Sequence, residues 1–129
     1  MINNVWGKLR ELNDQGVLDA LAGAGSKLVY CDYTNGSDTA YGNWDSPLKT
    51  LEAAYDKLRD GKNDVVVLLD DGTTAGSTIR IDAAFTWAKN NAHLIAWTRS
   101  ILFSQRGRLA PTASTTAFAA FFTVSGKNC

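Results

Sequence analysis

Residues 29–58 read VYCDYTNGSDTAYGNWDSPLKTLEAAYDKL, and their reading decides the fold. A strand-like start in residues 27–33, KLVYCDY, alternates and is rich in strand formers. A polar loop follows. Its Asn35-Gly36 pair suits a turn that tolerates positive φ, and Ser37 and Asp38 can bond local backbone groups. Ser46-Pro47 then reads as a helix start, with the serine hydroxyl capping free amides and proline at the first helical position. Leu51, Ala54, Tyr55 and Leu58 would share one apolar face, with Gly61 ending the helix.

Downstream the chain turns to strand signals. Val65 to Leu69 is an unbroken apolar run between polar turns, as expected of a strand buried on both sides. STIRI (77–81), AHLIAW (92–97), SILFS (100–104) and AAFFTV (119–124) follow. Strand-like runs begin near 65, 92 and 119, about 27 residues apart, a spacing that suits a solenoid with two or three short strands in each coil.

Upstream, residues 3–22 read as helical. Val5, Leu9 and Leu12 recur at helical spacing beside Trp6. Asp14 can cap a second short piece carrying Val17, Leu18 and Leu21, and Gly16 bends or breaks the run. AGAGS, residues 22–26, reads as a flexible hinge. Two readings stand for the first 22 residues: a separable amphipathic arm, and a helix packed on its own domain.

The bulk numbers fit one globular domain. The chain has 129 residues, 45% of them hydrophobic and 20% charged, which argues against general disorder. Thirteen basic residues balance thirteen acidic ones, so no net field draws the chain to nucleic acid or to an anionic membrane. No apolar run approaches the roughly 20 residues needed to span a bilayer. The start, MINNVWGKLRELNDQGVL, lacks the basic-then-apolar pattern of a secretory signal. Cys31 and Cys129 are too few for a disulfide framework or a zinc site and read as reduced thiols.

Candidate chemistry is sparse. His93 is the only histidine and has no nucleophile motif beside it, so it reads as a turn or strand-edge residue. Asp70-Asp71 could serve acid–base work or calcium, but DDGTT is ordinary turn chemistry. Asp32, Asp38 and Asp45 match no calcium-loop spacing. Arg99, Arg106 and Arg108 form a local basic cluster without aromatic interleaving, which reads as solvated charge. GAGS lacks the lysine and the preceding strand of a phosphate loop. Trp44, Trp87 and Trp97 are spread out, and Trp6 is the tryptophan expected at an interface.

Residues 29–74, VYCDYTNGSDTAYGNWDSPLKTLEAAYDKLRDGKNDVVVLLDDGTT, resemble the opening of right-handed parallel β-helix proteins of the pectate-lyase-like superfamily, with the likeness covering about residues 28–81. Residues 93–129, HLIAWTRSILFSQRGRLAPTASTTAFAAFFTVSGKNC, are similar to phage virion structural proteins of this kind. The resemblance implies a mainly β fold with helices: the start of a right-handed parallel β-solenoid, capped by the amphipathic helix and preceded by an N-terminal helical arm. It divides the chain into an arm and hinge, residues 1–26, and a capped β-helix domain, residues 27–129, expected to be the first coils of a longer solenoid.

The function implied is a non-enzymatic, capsid-decorating or fibre-type virion protein, assembled in the host cytoplasm. Its expected partners are the major capsid protein or other virion subunits, with homo-oligomerisation, a trimer included, and neither nucleic acid nor membrane. No cofactor or metal is expected. Docking would use Val5, Trp6, Leu9, Leu12 and Leu18 on the arm. The alternatives are the N-terminal part of a tailspike-like polysaccharide-degrading enzyme and a receptor-binding module.

Overall fold

The structure, a computed structural model, describes residues 25–70, 79–98, 108–112 and 120–129. The strands are β1 (Leu28–Cys31), β2 (Asp64–Asp70), β3 (Ile79–Ile81), β4 (Phe85–Trp87), β5 (Ala92–Thr98), β6 (Leu109–Pro111) and β7 (Phe122–Val124), and the helix is α1 (Leu51–Asp56). They form three small parallel sheets, ordered β1-β2-β5, β3-β6 and β4-β7.

This arrangement corrects the expected fold. The described residues are short parallel strand pairs and one six-residue helix, not a capped right-handed β-solenoid. The repeat suggested by the runs near 65, 92 and 119 breaks at its third member. β5 does pair with β2, with Ala92 opposite Asp64, but β7 pairs with β4, with Phe122 opposite Phe85. The offsets differ as well: 28 residues from Asp64 to Ala92, 30 from Ile79 to Leu109, and 37 from Leu28 to Val65. Apolar spacing reports that strands exist, but each pairing is set by which side chains fill the core. The N-terminal helical arm lies outside the described residues, as does the SILFS run.

β2 carries the centre of the largest sheet. Its neighbours on both edges are parallel, and its side chains alternate between two apolar clusters. Val66 and Leu68 face the main core with Val29 and Cys31, while Val65, Val67 and Leu69 face a second cluster with Tyr30 and Trp44. Burial on both faces explains the unbroken apolar run, since every position from Val65 to Leu69 is buried.

The helix begins later than Ser46-Pro47 suggests. Thr50 is the N-cap, with its Oγ1 accepting from the Ala53 N–H at 3.3 Å. The intervening residues have another task. The Leu48 N–H donates to the Tyr30 carbonyl, and the Leu48 carbonyl accepts from Asp32, forming a parallel bridge with Cys31. With the Tyr30 N–H donating to Gly42, this ledge closes the outer edge of β1. Tertiary pairing outweighs the local capping preference. On α1, Leu51 and Ala54 are buried in the main core, joined by Leu58 just beyond the helix. Gly61 sits past the C-cap Lys57, at φ +74, and its N–H donates to Asn90.

Gly36 is needed for space and not for positive φ. A Cβ there would collide with the backbone carbonyl oxygens of Leu48 and Asp32. Gly36→Ala is therefore expected to destabilise the chain by about 1–3 kcal/mol, the usual cost of overpacking a close contact. Urea denaturation measures it, and an unchanged midpoint would mean the ledge backs away freely.

Candidate functional site

Two of the carboxylates singled out from the sequence, Asp32 and Asp38, are engaged by the backbone. Asp32, 5% exposed, accepts the Thr34 and Asn35 N–H groups on Oδ1, at 3.0 and 3.1 Å, and the Asn35 Nδ2 on Oδ2 at 3.3 Å. Asp38 accepts the Lys49 and Thr50 N–H groups and the Thr50 hydroxyl, which orients the N-cap of α1. Each therefore holds part of the ledge that closes β1. Among the described residues no three His, Cys, Asp or Glu side chains gather as a metal site would require. Asp70 ends β2, and Asp71 lies outside the described residues.

Asp64 is the strongest electrostatic feature, and its place just before an apolar run gave no hint of it. It is fully buried at the start of β2. Its Oδ1 accepts from the Lys27 N–H and from Arg59 Nη2, at 2.8 and 2.6 Å, and its Oδ2 from the Arg59 N–H and Nε, at 2.8 and 2.9 Å. Arg59 also reaches the Gly25 carbonyl at 2.9 Å. Burial alone would raise this carboxyl; the hydrogen bonds from Arg59 and Lys27 outweigh it and hold the group down at about 2. The cluster clamps the entry to β1 onto the turn before β2.

Among the described residues, two concavities beside the sheets stand out. One, about 450 Å³, is lined by Ser26, Lys27, Tyr30, Asn43, Trp44 and Asp45, with the Tyr30 and Trp44 rings edge-to-face at 5.4 Å. The other is an apolar groove of about 210 Å³, lined by Trp87, Ala92, Leu94, Phe122, Val124 and Cys129. Phe85 stacks on Phe122 at 5.8 Å, and Tyr55 meets Trp87 at 4.9 Å, so the groove floor is a packed aromatic cluster. Val124 is 55% exposed at its rim. Among the described residues no strand covers the outer edges of β5 or β7, which border this groove.

Lys89 fixes α1 to the groove side. Its Nζ donates to the carbonyls of Tyr55 and Leu58, at 2.7 and 2.9 Å, and lies 4.3 Å from the Tyr55 ring centroid. The Tyr55 hydroxyl in turn accepts the N–H groups of Ala88 and Lys89.

The remaining sequence candidates fall as follows. Val5, Trp6, Leu9, Leu12 and Leu18 lie outside the described residues, as do Arg99 and Arg106. His93 is half-buried on β5, with Nε2 3.4 Å from Asn63 Oδ1. Trp87 is buried and Trp97 packs against the second cluster. Both cysteines are free thiols. Burial, with Asp38, Asp32 and Glu52 nearby, pushes the Cys31 thiol far above its ordinary range, so it is a poor nucleophile. No helix among the described residues is long and apolar enough to cross a membrane.

Comparison with family models, with curated proteins and with solved structures gave no match.

Proposed function

We propose that the chain is a non-enzymatic structural protein of a phage virion, capsid-decorating or fibre-type, that acts by docking on the major capsid protein or another virion subunit. The observation that supports an assembly role most is the apolar groove between β5 and β7, where Val124 is more than half exposed. An exposed apolar concavity beside open strand edges is the kind of surface that a protein partner covers. The carboxylates of the β1 loop support the same reading, because Asp32 and Asp38 are occupied in holding backbone. The resemblance of residues 93–129 to phage virion structural proteins supplies the virion context.

In this reading the N-terminal stripe of Val5, Trp6, Leu9, Leu12 and Leu18 makes the docking contact. Its mechanism is loss of water from apolar side chains, with tryptophan as the anchor. Trp6→Ala is expected to weaken association with purified particles roughly thirtyfold, the loss that about 2 kcal/mol at an interface anchor produces. Quantitative co-sedimentation measures this. Full association of the variant would reject docking through the stripe, and absence of the chain from purified virions by mass spectrometry would reject the virion role.

A further inference from the structure

We propose that Asp32 locks the Asn35-Gly36 peptide against deamidation, protecting a labile pair whose glycine the fold cannot replace. The reaction at stake is intramolecular. The Gly36 nitrogen gives up its proton and attacks Asn35 Cγ, the C–N bond to Nδ2 breaks, and Nδ2 leaves as ammonia with that proton. Water then opens the cyclic imide at either carbonyl, giving aspartate or isoaspartate. Glycine on the C-terminal side favours this attack because no side chain shields its nitrogen and its backbone turns freely.

The chain cannot escape by replacing the glycine. A Cβ at residue 36 would overlap the carbonyl oxygens of Leu48 and Asp32, where the ledge meets β1. The glycine is thus fixed behind an exposed asparagine with water at hand.

Asp32 holds both reacting groups. Its carbonyl accepts the Gly36 N–H at 2.7 Å, so the nucleophilic nitrogen keeps its proton and is held toward Asp32. Its Oδ2 accepts the Asn35 Nδ2 at 3.3 Å, which anchors the leaving group and the carboxamide. Its Oδ1 accepts the N–H groups of Thr34 and Asn35, which fixes the backbone between nucleophile and electrophile. Asp32 itself is 5% exposed and cannot swing away without unmaking these bonds. Release would have consequences beyond one side chain. Aspartate at 35 would set a second carboxylate against a buried one, and isoaspartate would lengthen the backbone where the edge of β1 is closed.

The test is the rate of ammonia loss at Asn35, followed by peptide mass mapping during incubation of the full chain in mildly alkaline buffer. The folded chain should react at least roughly tenfold more slowly than the same chain in urea, the factor carried by one hydrogen bond to a charged group. Asp32→Ala should raise the folded-state rate by roughly the same factor. Asp32→Asn keeps an acceptor for Thr34 and Asn35 but cannot accept from the Asn35 amide. It gives the same readout if the alanine variant fails to fold. Asp38→Ala loosens the same ledge without touching Asn35 and should leave the rate unchanged. Equal rates in the folded and urea-treated chain would overturn the proposal. So would an Asp32 variant that reacts no faster than wild type, or an Asp38→Ala variant that speeds the reaction as much.

Discussion

Asp64→Ala is expected to cost about 2–5 kcal/mol of stability, chiefly from the two backbone donors that it leaves without an acceptor. The size comes from the number of donors that one carboxylate satisfies. Four hydrogen bonds end on it, two from backbone N–H groups of Lys27 and Arg59 and two from the Arg59 side chain. The Arg59 side chain is about half exposed, at 49%, so its guanidinium returns to water when the partner is lost. The two backbone amides sit in part-buried bonds, and each donor left without its acceptor there costs about 1–3 kcal/mol. Urea denaturation of the variant checks this. A loss below about 1 kcal/mol would mean that water reaches the amides and that the clamp is only a surface pair.

The same carboxylate makes stability depend on acid. Its folded value, about 2, lies below the ordinary 3.8, so the folded state binds the proton less readily than the unfolded chain. The contribution is present above the ordinary value and is lost as pH falls from about 4 to about 2. Allowing for the half-exposed arginine, it is on the order of 1–2 kcal/mol. Wild type should lose that much more stability over this window than Asp64→Ala does. Parallel pH profiles for the two proteins would show that Asp64 is not the titrating group.

This site was hard to see in the sequence for a physical reason. Aspartate before Val65–Leu69 looks like the polar boundary of a strand, and such boundaries are usually wet. What buries Asp64 is the return of Gly25–Lys27 alongside Arg59, a contact between segments more than thirty residues apart. No local pattern encodes it. β2 was legible because burial on both faces leaves an unbroken apolar run. β4 and β6 were not, since Phe85–Trp87 and Leu109–Pro111 have only three residues each, too few to show a period. The helix start was misread because Leu48 pairs with β1. The solenoid reading failed because evenly spaced runs do not reveal that β7 joins β4 and, among the described residues, not β5.

Trp87→Ala is the other substitution with a large expected effect, about 3–5 kcal/mol for truncating a buried aromatic residue. Trp87 is 1% exposed and is the largest fully buried side chain among the described residues. Its ring meets Tyr55 at 4.9 Å, Phe122 at 6.1 Å and Phe85 at 6.4 Å, so it joins α1, β4 and β7 in one cluster. Its Nε1 donates to the Ala92 carbonyl at 3.0 Å, a buried bond that also ties β4 to the start of β5. Trp87→Phe separates these two contributions. It keeps much of the ring and removes the donor, so it should cost about 1–2 kcal/mol, the price of an acceptor left without its partner. The expected order in urea midpoint is wild type, then phenylalanine, then alanine. Equal losses for the two variants would assign the whole effect to the hydrogen bond and none to packing. A double-mutant cycle with Phe122→Ala should show coupling of about 1 kcal/mol, because the two rings touch across the β4-β7 pair. Zero coupling would mean that Phe122 is held by its stacking on Phe85 and by the β4-β7 backbone pairing, with nothing from Trp87.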